Sequence, residues 1–135
     1  MQQQIEKIRR IRMDHNILKT LVNKNKGKSF FCEHNSDEIT SICPITRLPD
    51  FYTFQLIYEP NTKLIELKSL KYYLADFRND ELYHEELANI IFDALKNVIE
   101  PKWIFICLKA DVRGGIDTTV KRYWNQNMPT TLDDI

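Results

Sequence analysis

Glycine is scarce, three in 135 residues. No Gly-rich phosphate loop of the GxGxxG or Walker type is present, and no low-complexity linker. Cysteine is scarce too and odd in number, three. That excludes a disulfide framework and points to a reducing compartment, the cytoplasm by default. No stretch approaches the roughly 20 apolar residues of a membrane helix. The opening Met1–Arg10 lacks the apolar centre of a secretory signal. Net charge is absent as well: 19 Lys+Arg stand against 19 Asp+Glu, so whole-chain attraction to nucleic acid or anionic lipid is not expected. What is present is ordinary for one globular domain, 43% hydrophobic and 28% charged. A chain of this size can bury roughly 68% of its unfolded surface.

The charge is unevenly placed. Residues 1–28 hold eight Lys/Arg against Glu6 and Asp14, a net of +6, which leaves −6 on the remainder. The sequence therefore divides into a basic N-terminal arm, 1–28, and a single domain, 29–135. Such an arm suits a solvated segment, contact with a neighbouring subunit, or contact with RNA. Strand-like patterning runs over Ser29–Ser41. A Pro-punctuated loop follows from Cys43 to Asp50, then Phe51–Tyr58, rich in aromatic and β-branched residues. Pro60-Asn61 is a turn signal and Lys63–Leu67 a return strand. The period then changes. Leu70, Tyr73, Leu74 and Phe77 predict one helix; Leu87, Ile90, Ile91, Ala94, Leu95 and Val98 predict a second, capped by Asn79 or Asp80 and ended by Pro101. Trp103–Leu108 reads as a buried strand with Cys107 in the core, Arg113-Gly114-Gly115 as a turn, and Ile116–Tyr123 as the last strand. The polar tail from Trp124 is loosely held. The order β-β-α-α-β-β predicts an α+β protein, an antiparallel sheet with two helices on one face. So short a sheet has open edges, which favours oligomerisation.

Four groups of residues offer chemistry. Cys43 and Asp50 bracket a loop stiffened by Pro44 and Pro49. A thiolate nucleophile with an acid beside it suits covalent catalysis, while a small buried thiol and a turn carboxylate is the plain reading. Cys32, His34 and Cys43 have the chemistry of zinc ligands but lack a C-x-x-C pair. Lys68 and Lys71 share a face at a helix start, where amide N–H groups add positive potential. They suit phosphates, or simply face solvent. His84-Glu85 opens the second helix. A carboxylate there complements the helix dipole, and it also matches the paired N–H donors of a guanine-like edge.

Together these blocks resemble one family. Cys43-Pro44-Ile45-Thr46-Arg47-Leu48-Pro49-Asp50-Phe51, Glu66-Leu67-Lys68-Ser69-Leu70-Lys71-Tyr72-Tyr73, Phe77-Arg78-Asn79, His84-Glu85 and Arg113-Gly114-Gly115 keep the order and spacing of the NADPH-dependent 7-cyano-7-deazaguanine reductases of queuosine biosynthesis, the QueF nitrile reductases. The likeness spans about Phe30 to Tyr123, in the short, single-module form. It implies a tunnelling fold whose barrel closes by oligomerisation, in the family as a decamer of two pentamers with sites between subunits. It implies Cys43 as the nucleophile that forms a thioimide with the nitrile, Asp50 as proton donor and His84 as its helper. His84 and Glu85 would hold the deazaguanine, with Ile65, Glu66 and Leu67 completing the pocket. Lys68, Ser69 and Lys71 match the NADPH motif, and Arg113 and Gly114 would lie near cofactor phosphate. No resident metal is implied.

The loop departs from the family pattern. Arg47-Leu48 stands where the family usually has Gly-Gln, and Leu67 is Ser in many relatives. Three other readings follow from the same residues. An amidinotransferase acting on deazaguanine-modified tRNA would share the thioimide, take ammonia instead of hydride, and use the basic arm for RNA. A zinc-dependent pterin enzyme would use Cys32, His34 and Cys43. A small oligomeric binding module would leave Cys43 inert. A protective Cys32–Cys43 disulfide is a further open question.

Overall fold

The computed structural model describes residues 1–3 and 17–127. Within residues 17–127 six strands and two α-helices follow in order: β1 (Thr20–Val22), β2 (Cys32–Ile42), β3 (Pro49–Glu59), β4 (Lys63–Ile65), α1 (Leu67–Ala75), α2 (His84–Ile99), β5 (Trp103–Arg113) and β6 (Ile116–Asn125). A single 3₁₀ turn, Asp76–Asn79, joins the helices. The main sheet is antiparallel in the order β2-β3-β5-β6, and a second sheet pairs β1 with β4. The α+β reading from the sequence thus holds.

The alternation of β3 explains the layering. Asp50, Tyr52, Phe54, Leu56 and Tyr58 point to the helices and are buried, as are Ile104, Ile106, Leu108 and Ala110 of β5. Period-2 strands place such residues on one face. Helix α2 answers with Leu87, Ala88, Ile91, Phe92, Ala94, Leu95 and Ile99, a stripe of helical period. Helix α1 adds Leu70, Tyr73 and Leu74. Cross-strand partners continue the helix side onto β2, where Cys32, His34 and Ser36 lie opposite Tyr58, Leu56 and Phe54. A register shift between Ser36 and Ile39 inserts extra chain, so that Ile39 and Ser41 face the helices beyond it. Strands β5 and β6 are joined by Gly114 and Gly115, at φ 57 and 76. A two-residue hairpin loop needs positive φ at both positions, which glycine meets at no steric cost.

Several expectations are revised. Lys63–Ile65 does not pair back on β3; it pairs with Thr20–Val22. Leu18, at 5% exposure, belongs to the core. The fold therefore begins before residue 29, and 17–28 is part of it; residues 4–16 of the basic segment lie outside the described residues. Neither Asn79 nor Asp80 caps the second helix. The 3₁₀ turn carries the chain past them, and Tyr83 takes the cap position, its N–H donating to Glu86 Oε1 at 3.3 Å. Cys107 is half-buried on the helix-free side of the sheet, opposite Gln55 and Lys121, because it alternates out of phase with Ile106 and Leu108. Trp124 belongs to β6, and Lys96 Nζ lies 4.5 Å from its ring centroid. Among the described residues no helix is long and apolar enough to cross a membrane.

Leu56 sits at the centre of β3 with no exposure. Leu56→Ala should destabilise the fold by about 2–5 kcal/mol, through lost burial and the cavity left behind. Urea unfolding should show this as a lower midpoint at an unchanged slope.

Candidate active site

Two backbone bonds bring the C-terminal end of β2 to the start of α2. Ile42 N–H donates to Asp80 O at 2.8 Å, and Leu82 N–H donates to Ile42 O at 3.1 Å, a one-rung parallel bridge. Two residues on from Leu82 is His84. One residue on from Ile42 is Cys43. The same rung that ends the strand thus delivers the thiol and the imidazole to one corner of the sheet.

The loop after Cys43 is a tight turn. Arg47 N–H donates to Cys43 O, and Cys43 N–H donates to Leu48 O, both at 2.9 Å. This turn holds Arg47 at φ 62, the left-handed region where a non-glycine residue is strained. The sequence departure from Gly at this position therefore falls where glycine would fit best. Arg47 also pairs with Glu81 at 3.1 Å, from a side chain 71% exposed. So exposed an ion pair adds at most about 1 kcal/mol.

The turn lowers the Cys43 pKa. The Thr46 side chain is the largest cause, followed by the backbone N–H groups of Thr46 and Ile45; partial burial and the Asp50 charge oppose them. Asp50 is 3% exposed on the second rung of β3, directly across from Ser41. Arg113 Nε lies 2.9 Å from its Oδ1, an ion pair. The approach is off the hydrogen-bond direction, so this buried oxygen accepts no hydrogen bond among the described residues. Arg113 also donates to Pro49 O. Arg113, expected near cofactor phosphate, thus stands against the expected proton donor, and Gly114 forms the hairpin turn beside it.

His84 is held from below. Tyr52 Oη lies 2.8 Å from His84 Nδ1 and 3.1 Å from Ser41 Oγ, and the Tyr52 and His84 rings meet edge-on at 80°. Burial pushes the Tyr52 phenol up to about 12. Glu85 is exposed in the first turn of α2. Neither Tyr52 nor Ser41 was singled out in the sequence. The available signal was spacing: Asp50 and Tyr52 lie two apart on one strand and so share a face.

The remaining expected residues lie elsewhere. Ile65 is buried and donates its N–H to Tyr58 Oη at 3.0 Å. Glu66 is the N-cap of α1, its Oε2 accepting from Ser69 N–H at 2.7 Å, which lowers its pKa. This carboxylate fills the helix start that was expected to favour phosphate. Ser69 is buried, its hydroxyl donating to Glu66 O at 2.7 Å and accepting from Lys19 N–H at 3.0 Å. It is a structural residue within this chain. Lys68 and Lys71 are exposed, and neither forms an ion pair among the described residues. Lys71 and Leu67 border a cleft of about 600 Å³ between α1 and β2, with His34 on its opposite wall. A smaller cleft of about 360 Å³ adjoins it and holds Cys32, His34, Ile65, Glu66, Leu67 and Lys68.

The smaller cleft lies at the start of β2, the larger reaches along the strand to Glu38, and Cys43 lies past the far end. From Cys32 to Cys43 the chain runs the length of the strand, up to about 36 Å at about 3.3 Å per residue. One protomer therefore does not bring Ile65, Glu66 and Lys68, beside Cys32, to Cys43. The same distance excludes a Cys32–Cys43 disulfide within the chain, which needs Cα atoms within about 7 Å. It equally excludes Cys32, His34 and Cys43 as one zinc site, and no metal-binding cluster occurs among the described residues.

A half-buried thiol of lowered pKa, a buried carboxylate and an anchored imidazole thus meet at one corner of an antiparallel α+β frame. Residues 49–128 match the family described as "QueF-like protein". The chain is 44% identical over 115 residues to the NADPH-dependent 7-cyano-7-deazaguanine reductase of Staphylococcus epidermidis, covering 85% of this chain and 68% of that one. It is 42% identical, with the same coverage, to the enzyme of that name from Staphylococcus haemolyticus. The chain belongs to this QueF family of reductases. Among solved structures, the archaeosine synthase QueF-Like in its apo form superposes with a TM-score of 0.67 at 21% identity, over 73% of this chain and 96% of that one; this likeness concerns the fold.

Two measurements check the corner. Alkylation of Cys43 by iodoacetamide should rise with a midpoint below the usual free-thiol value of about 8.5. Thr46→Val removes the largest cause of the lowering and should move that midpoint upward. Arg47→Gly relieves left-handed strain of about 1–2 kcal/mol at the loss of an exposed ion pair. Its urea midpoint should rise.

Proposed function

We propose that this protein is an NADPH-dependent 7-cyano-7-deazaguanine reductase, converting the nitrile to a primary amine in the cytoplasm for queuosine biosynthesis. The observation that carries the reading is Cys43 with its pKa lowered by its own turn, next to buried Asp50. A nitrile resists direct hydride attack. The Cys43 thiolate adds to its carbon, forming the S–C bond while one C–N π pair moves to nitrogen. That nitrogen takes a proton from Asp50, which the thiol has supplied. The product is a thioimide, whose C=N can be reduced. Reduction gives a thiohemiaminal, which expels the thiolate and leaves an imine for the second reduction. NADPH, when bound, supplies the hydrides, two per nitrile.

Glu85 accepts the ring N–H and exocyclic amine of the base side by side. His84 meets the same molecule from the adjoining position. Lys68 and Lys71 fit the phosphates of a dinucleotide, being exposed cations without ion-pair partners among the described residues, beside a cleft. Ser69 supports them by fixing the start of α1 to Lys19. The distance of Ile65, Glu66 and Lys68 from Cys43 supports a site made from two subunits. Among the described residues, strands β2 and β6 are the open edges of the main sheet. Joining them edge to edge closes a barrel and brings the α1 motif of one protomer to the Cys43 corner of the next. A decamer of two pentamers is the assembly this reading adopts.

The test is loss of reduced-nicotinamide absorbance with 7-cyano-7-deazaguanine added. Wild type should consume two NADPH per substrate and Cys43→Ala none. Glu85→Ala should raise KM roughly tenfold or more, since it removes charged hydrogen bonds. A covalent mass adduct on Cys43 without NADPH consumption would overturn the reductase in favour of amidinotransfer.

A further inference from the structure

Behind the expected substrate-binding imidazole lies a hydrogen-bond chain whose direction the burial of one hydroxyl determines. Ser41 Oγ, Tyr52 Oη and His84 Nδ1 lie in series, at 3.1 Å and 2.8 Å. Ser41 has no exposure, and among the described residues Tyr52 is the one partner of its hydroxyl. A buried hydroxyl without an acceptor is costly. Were Tyr52 to donate to Ser41, the serine hydrogen would have nowhere to go. Ser41 therefore donates to Tyr52, and Tyr52, with its single O–H, donates to His84. Nδ1 is then the acceptor. The neutral ring must carry its proton on Nε2, the nitrogen turned away from Tyr52.

We propose that Tyr52, backed by Ser41, is a positioning residue that fixes His84 in its Nε2–H tautomer, so that the site offers a hydrogen-bond donor beside the Glu85 acceptor. Such a pair selects a heterocycle that presents a carbonyl oxygen next to an N–H and an amine. It rejects one with an amino group at the carbonyl position, because two donors would face each other. The chain holds the ring and does not conduct protons. It ends at Ser41, a residue without solvent contact, so no proton can enter from that side. The edge-on packing of the two rings adds a steric limit on imidazole rotation. The substrate part of this inference rests on the function proposed above; the tautomer does not.

The experiment is ¹⁵N NMR of histidine-labelled full-length protein without substrate, with the His84 signals identified by their absence in His84→Asn. Wild type should show an unprotonated Nδ1 and a protonated Nε2. Tyr52→Phe, with the fold verified by its thermal transition, should give a mixed tautomer population. KM for 7-cyano-7-deazaguanine should rise about fivefold to tenfold, from one lost hydrogen bond, with kcat changed less. If Tyr52→Phe does not fold, the wild-type spectrum carries the test, and Ser41→Ala, which leaves the Tyr52 O–H no acceptor but Nδ1, should keep Nδ1 unprotonated. A protonated Nδ1 in wild type or in Ser41→Ala, or an unchanged spectrum in folded Tyr52→Phe, overturns the proposal. A tautomer shift in a protein that reduces no nitrile upholds the positioning role and overturns only the assigned reaction.

Discussion

The parallel bridge between Ile42 and the Asp80–Leu82 segment is the constraint on which the corner of Cys43 and His84 depends. It is made by main-chain groups alone. It stops β2, releases the chain into the Cys43 turn, and docks the start of α2 against the sheet. Without it, thiol and imidazole would belong to separate elements with no shared reference. The core beneath makes the bridge rigid. Leu82 has no exposure, and Ile39 and Phe77 are buried with it. The side chains at the corner are therefore adjustments to a geometry the backbone has already set.

Polarity is distributed unevenly around this corner. On the solvent side the Cys43 thiol is stabilised as thiolate by Thr46 and by turn amides. On the sheet side Asp50 is almost sealed, with one cation beside it. Beneath the imidazole the phenol of Tyr52 keeps its proton through the whole working range, because burial disfavours the phenolate. Each group thus meets a different dielectric setting within a few residues of the others. A thiol, a carboxylate and a phenol thus differ in their surroundings while standing within one small corner.

Much of the frame was legible in the sequence, for physical reasons. Phe51–Tyr58 alternates in phase with its burial, and the α2 stripe recurs at helical spacing, so local pattern and tertiary environment agree. The Thr20–Val22 strand was not legible. It is three residues long, lies among lysines, and owes its existence to pairing with β4. The cap of α2 was misread because Asn79 and Asp80 are better caps by type, whereas the 3₁₀ turn, set by packing of Phe77, places Tyr83 there. Cys43, Asp50, His84 and Glu85 are proposed from their order in the chain. Tyr52 was overlooked because an aromatic in a strand reads as core, and it is core; only its hydroxyl belongs to the site. Ser69 is the reverse case, a motif residue whose hydroxyl is engaged by main-chain groups of Glu66 and Lys19.

The hairpin that carries Arg113 has one more consequence. Arg113 is the last residue before Gly114 and Gly115, and its flanks Val112 and Ile116 are 60% and 69% exposed. The counter-charge of an almost sealed carboxylate is thus mounted on one of the outermost parts of the molecule. The sealed carboxylate is thus balanced by a guanidinium that solvent reaches, its side chain 43% exposed against 4% for Asp50.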